Sequence, residues 1–93
     1  MFDPWRLTIR TPAETTLDVR GVTRVQVQLA DGGPITILPG HAPLLAETVR
    51  APLSYVDAAG EHSIPVNAGL LHITRGRVTV YTSGWAESHV QEG

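Results

Sequence analysis

The sequence predicts an all-β domain, an antiparallel β-sandwich or flattened barrel of about ten short strands with no helical domain. Val, Ile and Thr together number 25 of the 93 residues, and these β-branched side chains pack well on a pleated sheet but lose rotamer freedom in helices. Short segments alternate apolar and polar residues with a period of two, which gives each segment one dry face. Glycine, proline and aspartate separate these segments at the close spacing typical of turns.

The first half of the chain contains the clearest alternation. Residues 5–10 and 24–29 alternate apolar and polar side chains without a break, which predicts two strands with one buried face each. An Asp-Gly-Gly-Pro turn at residues 31–34 precedes an apolar segment at residues 35–38. Residues 44–49 fit both a strand and a short helix, and we predict a strand there.

The second half of the chain is predicted to form two hairpins. Their strands lie at residues 53–56, 62–66, 71–74 and 78–82. Asp57 and Gly60 suit the first hairpin loop, and Gly76 suits the second. We therefore expect one β-sandwich domain over residues 1–83, followed by a short tail at residues 84–93.

The residue types that the chain lacks exclude several kinds of chemistry. It has no cysteine, and all seven of its basic residues are arginine. A thiol nucleophile, a cysteine-ligated metal, a lysine Schiff base and a phosphate-binding P-loop lysine are therefore excluded. The arginines are spread singly along a chain of net charge -2, so we expect no nucleic-acid binding. No apolar stretch approaches the roughly 20 residues that cross a bilayer, so we expect no transmembrane span.

Four histidines raise the alternative of a metal site. A small metal-dependent β-barrel enzyme would be built around His41, His62 and His72. The spacing does not favour this alternative, because the sequence contains neither His-x-His nor His-Glu-x-x-His. The serines also lack the Gly-x-Ser-x-Gly setting of a hydrolase nucleophile. We therefore predict no catalytic residue, no metal and no cofactor.

One segment has a composition that suggests a specific shape. Pro39 and Pro43 fix the backbone angle φ within five residues, and Gly40 permits conformations closed to other residue types. A structural interpretation is a wide corner between two sheets, with His41 bound to backbone. A functional interpretation is a preformed surface that presents His41 and its apolar neighbours to a protein partner at low ordering cost. The predicted partner-binding residues are Leu38, Pro39, Gly40, His41, Ala42 and Pro43.

The same segment carries a family resemblance. Residues 37–45 read Ile-Leu-Pro-Gly-His-Ala-Pro-Leu-Leu, and this string resembles the most recognisable segment of the N-terminal β-sandwich domain of the epsilon subunit of F-type ATP synthases, called delta in mitochondria. Residues 7–12, 66–71 and 78–81 are similar to further family segments in the same order. The resemblance implies a ten-strand sandwich that does no chemistry itself. It also implies binding to the gamma subunit and to the ring of c subunits, as part of the central stalk that rotates.

The resemblance also bears on the location of the protein and on the functions of the family's C-terminal domain. The subunit would lie on the cytoplasmic face of the bacterial inner membrane, within a complex that couples proton flow to ATP synthesis. Family members commonly continue into a two-helix C-terminal domain that can inhibit ATP hydrolysis and, in some bacteria, bind ATP. The tail at residues 84–93 is too short for those helices, so we expect neither inhibition nor nucleotide binding. The alternative is a free-standing β-sandwich interaction module outside an ATP synthase.

Overall fold

The computed structural model describes residues 5–83, and within that range the chain forms nine strands and no helix. The strands are β1 (Trp5–Arg10), β2 (Thr15–Val22), β3 (Arg24–Leu29), β4 (Gly33–Ile37), β5 (Leu44–Thr48), β6 (Ala51–Asp57), β7 (Gly60–Val66), β8 (Gly69–Thr74) and β9 (Arg77–Thr82). The predicted all-β architecture is therefore confirmed. The predicted tail at residues 84–93 lies outside the described residues.

One curled sheet contains all nine of these strands. Its order is β2-β1-β9-β8-β5-β3-β6-β7, with β4 paired to β3. The sheet bends at a single residue pair between β3 and β5, Leu29 opposite Thr48. The backbone N–H of Ala30 donates to the carbonyl of Glu47 across this bend, at 2.9 Å. Two layers result: a five-stranded layer of β2, β1, β9, β8 and β5, and a four-stranded layer of β3, β4, β6 and β7.

The hydrophobic core fills the space between the layers. Alternate residues of each strand point inward, as the period of two predicts. The buried apolar side chains are Trp5, Leu7, Ile9, Val22, Val25, Val27, Ile37, Leu53, Tyr55, Val66, Leu71, Ile73, Val78 and Val80. Both layers contribute to this set, so each layer shields the apolar face of the other from water.

One pairing departs from the antiparallel prediction. Strand β1 runs parallel to β9, with Arg6 opposite Arg77 and Arg10 opposite Tyr81. A parallel pair needs a long connection between its strands, and here nearly the whole described chain supplies it. The alternation in a sequence shows which face of a strand is buried, but it carries no information about the direction of the partner strand.

Strand β2 is an edge strand that the alternation of apolar and polar residues does not predict. Leu17 and Val19 are only partly buried, because β2 pairs only with β1 among the described strands and lies at the end of the sheet order. Gly21 adopts φ of +74° near its end, a conformation that glycine allows and other residues rarely adopt. Edge position therefore weakens the apolar pattern from which strands are predicted.

The two hairpins predicted for the second half of the chain are confirmed. Asp57 pairs with Gly60 across the first hairpin turn, and Thr74 pairs with Arg77 across the second. Gly76 has φ of +77° in the second turn, which explains its place there. The segment that fits both a strand and a helix forms β5.

Candidate partner-binding surfaces

The segment between β4 and β5 is a tight turn followed by extended chain. The backbone N–H of His41 donates to the carbonyl of Leu38 at 3.0 Å, which closes a four-residue turn. Gly40 has φ of +90° at the third position of that turn, and Pro39 occupies the second. This is the pattern of a type II turn, in which proline and glycine fit these positions without strain. We call residues 38–43 the proline turn.

His41 is held by the backbone of the proline turn itself. Its Nδ1–H donates to the carbonyl of Ala42 at 2.7 Å, and the side chain is half-buried. This contact agrees with the structural interpretation of the segment. It also orders the imidazole before any partner arrives, so a partner would lose little conformational entropy at this residue.

A cleft of about 350 Å³ adjoins the proline turn. Its walls are formed by the turn, by Trp5 at the start of β1, and by Arg75 and Gly76 between β8 and β9. Of the residues predicted to bind a partner, those at positions 39–43 line this cleft. Leu38 does not line it, but its side chain is 53% exposed, so it offers apolar surface beside the cleft.

A second surface lies on the outer face of the five-stranded layer. Leu45, Leu70 and Tyr81 are 64%, 41% and 44% exposed there. Leu70 lies directly opposite Tyr81 on β9 and opposite Glu47 on β5, while Leu45 lies opposite His72 on β8. Side chains directly opposite one another share a face. We call Leu45, Leu70 and Tyr81 the apolar strip.

The prediction from sequence did not include the apolar strip, although a signal for part of it exists. Residues 44–45 and 70–71 are both Leu-Leu. Successive side chains in a strand point to opposite faces, so an adjacent leucine pair places one leucine in the core and the other outside. Leu71 is indeed fully buried while Leu70 is exposed. The strip itself depends on β8 pairing with both β5 and β9, which alternation does not reveal.

The histidines proposed as alternative metal ligands are not brought together. His62 Nε2 lies 3.0 Å from Asp57 Oδ1, and its ring stacks on that of Tyr55 with centroids 4.8 Å apart. The hydrogen bond with His62 lowers the pKa of Asp57. His72 lies on the outer face of the five-stranded layer. Within residues 5–83 no three His, Asp or Glu side chains are grouped to hold a metal ion.

The chain matches a known family over most of its length. The family described as "ATP synthase, Delta/Epsilon chain, beta-sandwich domain" matches residues 5–87. The ATP synthase epsilon chain of Solibacter usitatus (strain Ellin6076) is 38% identical over 80 residues, which cover 86% of this chain and 58% of that protein. This chain thus spans less than two thirds of that relative.

Solved structures share the fold at low sequence identity. A chain in the mitochondrial ATP synthase of Euglena gracilis, in a structure of its OSCP, F1 and c-ring, superposes with a TM-score of 0.80 at 18% identity, covering 92% of this chain and 54% of that one. A chain in the central-stalk and c-ring structure of the Tetrahymena thermophila mitochondrial ATP synthase superposes with a TM-score of 0.69 at 14% identity. The match covers 84% of this chain and 62% of that one.

Proposed function

The chain belongs to the delta/epsilon-chain family of ATP synthases, and we propose that it is a non-catalytic rotor subunit that binds the gamma subunit and the c ring. In this role the domain couples proton flow through the ring to ATP synthesis, on the cytoplasmic face of the bacterial inner membrane. Residues 5–83 include no helix with the length and apolarity needed to cross a bilayer.

The observation that carries the proposal is the apolar strip. Three large apolar side chains, each more than two fifths exposed, lie together on strands β5, β8 and β9. Contiguous exposed apolar surface, especially with polar residues around it, marks sites of protein association. The strip lies on a sheet face whose other side is packed into the core, so it is a stiff surface suited to an extended partner. We assign it to the gamma subunit.

The proline turn supplies the second contact. It lies at one end of the sandwich, beside the β8–β9 turn, and combines exposed Leu38 with a backbone shape fixed by Pro39 and Gly40. This small, rigid surface consists of other residues than the apolar strip, so it can contact a second partner while gamma covers the strip. We assign residues 38–43 to the c ring.

Binding measurements with matched variants test both assignments. We expect the purified chain to bind its cognate gamma subunit in calorimetric titration at micromolar concentration or below. The double variant Leu45→Gln/Leu70→Gln should weaken gamma binding at least about tenfold, because it removes two apolar anchors from the interface. Leu38→Gln is the matched control: it should leave gamma binding unchanged and reduce co-purification with detergent-solubilised c ring.

Two outcomes would contradict this picture in different ways. If the unmodified chain binds neither gamma nor the ring, the rotor role is wrong and the free-standing interaction module becomes the better hypothesis. If the chain binds both partners but the two sets of variants act on the opposite partners, the rotor role stands and the assignment of surfaces is wrong.

A further inference from the structure

A cluster of arginines lies on the outer face of the five-stranded layer. Arg6 on β1 lies opposite Arg20 on β2 and opposite Arg77 on β9, so three guanidinium groups form one row across adjacent strands. Arg75, in the turn before β9, joins them in lining a shallow cleft of about 470 Å³. We call these four residues the arginine cluster. Like charges directly opposite one another destabilise a sheet, so the row carries a cost for the isolated domain.

One carboxylate partly offsets that cost. Arg6 donates from Nε and Nη2 to the two carboxylate oxygens of Asp18, at 2.6 and 2.5 Å. This bidentate hydrogen bond is the main cause of the lowered pKa of Asp18, and the charges of Arg20 and Arg77 lower it further. A single carboxylate cannot balance four guanidinium groups. Among the described residues, Arg20, Arg75 and Arg77 form no ion pair.

The position of the cluster connects it with both surfaces described above. The next outward-facing row runs across all five strands of the layer. It contains Asp18, Thr8, Thr79, His72 and, from the apolar strip, Leu45. Arg75 also lines the cleft beside the proline turn. The arginine cluster therefore lies on the same face as the apolar strip, one row from Leu45 and two rows from Leu70 and Tyr81. It is a positive region on a chain whose net charge is -2.

We propose that the arginine cluster binds a segment rich in Asp and Glu on the protein that covers the apolar strip. The inference depends on the proposed function, in which that protein is the gamma subunit. Guanidinium groups match carboxylates in bidentate geometry, as the Arg6–Asp18 pair already shows in this sheet. Arginine is also enriched at protein interfaces, where charges at the border speed association and fix the register of the two partners.

Association kinetics with the cognate gamma subunit test the proposal. The rate constant of association is measured by stopped-flow fluorescence at 50 and 500 mM salt, for the unmodified chain and for the double variant Arg20→Gln/Arg77→Gln. We expect the double variant to associate about tenfold more slowly at the lower salt concentration, with a weaker salt dependence. The matched control is Arg24→Gln/Arg50→Gln, which removes the same charge outside the cluster and should change the rate less than about twofold. Thermal melts of both variants should match that of the unmodified chain within a few degrees.

The possible outcomes distinguish failure of the role proposed for the arginine cluster from failure of the rotor role. Gamma binding with an unaltered rate and salt dependence in Arg20→Gln/Arg77→Gln overturns the role of the cluster and leaves the rotor role intact. Absence of gamma binding by the unmodified chain overturns both. A rate unaffected by the cluster variant, together with loss of binding to phosphatidylglycerol vesicles in that variant, would show that the cluster serves a lipid surface instead of carboxylates.

Discussion

The proline turn and the outer face of the five-stranded layer differ in how their shape is fixed. The turn is determined by neighbours in sequence: Pro39 and Gly40 set its backbone, and His41 is bound to the next residue. The outer face is determined by strand pairing, which places Leu70 beside Tyr81 and Arg6 beside Arg77 although they are distant in the chain. A local surface keeps its shape when the fold loosens, whereas a surface assembled from several strands exists only if the register is correct.

The largest expected effect comes from Gly69, because a side chain there disrupts the register of the outer face. A Cβ at this position would overlap the carbonyl oxygen of Tyr81 and lie 2.8 Å from its carbonyl carbon. We expect Gly69→Ala to cost about 3 kcal/mol of unfolding free energy, measured by urea denaturation. It should also reduce gamma binding, because Tyr81 belongs to the apolar strip.

Gly40→Ala in the proline turn is the matched comparison. Apart from Gly40 and its two chain neighbours, no heavy atom of the described residues lies within 4 Å of a Cβ placed there. Only the strain of positive φ is therefore expected, about 1 to 2 kcal/mol. The two substitutions are chemically identical and differ only in what surrounds them. Equal losses of stability would show that strand register constrains the fold no more than turn geometry does, and that the two surfaces do not differ in this respect.

The next effect concerns the function of His41. We expect His41→Ala to reduce c-ring association by about 1 kcal/mol or more while changing the melting temperature of the isolated domain little, because the hydrogen bond of its side chain within the described residues goes to the adjacent backbone. Val27→Ala is the control: it removes buried core volume at about 1 kcal/mol or more and should affect binding only through folding. A melting temperature that falls as much in His41→Ala as in Val27→Ala would favour the purely structural interpretation of the turn.

The smallest effect is a pH dependence confined to the outer face. Arg6 holds the pKa of Asp18 below its ordinary value of about 3.9. A lowered carboxyl pKa stabilises the fold at pH values above the unfolded-state pKa, and the contribution is lost as the pH falls through the folded-state pKa. Melting temperatures measured from pH 6 to pH 2 should therefore show an acid-dependent decrease that is smaller in Asp18→Asn.

Asp31→Asn serves as the control for this titration, because Asp31 lies in the exposed turn before β4 and forms no ion pair within the described part of the chain. It should retain the decrease seen in the unmodified chain. If Asp18→Asn and Asp31→Asn give the same profile, the Arg6–Asp18 pair contributes nothing measurable, as is common for exposed ion pairs.

The same contrast explains how much of the molecule could be predicted from the sequence. Alternation at residues 24–29, the Asp57 and Gly60 hairpin and the stiff proline turn are local features, and the structure contains all three. The parallel pairing of β1 with β9, the apolar strip and the row of Arg6, Arg20 and Arg77 depend on which strands become neighbours. The arginines look scattered in the sequence for this reason, and only the fold brings four of them together.

The central position of the β1–β9 pair has a consequence for biosynthesis. Of the described strands, β1 is synthesised first, but one of its two neighbours in the five-stranded layer, β9, is synthesised last. Until β9 emerges, β1 and β2 can form only a two-stranded hairpin, which has marginal stability in water. Such distant pairing slows folding and leaves unpaired strand edges exposed during synthesis. The domain therefore has to fold largely after translation of residue 82, and ribosome-bound chains that stop before β9 should remain open to proteases.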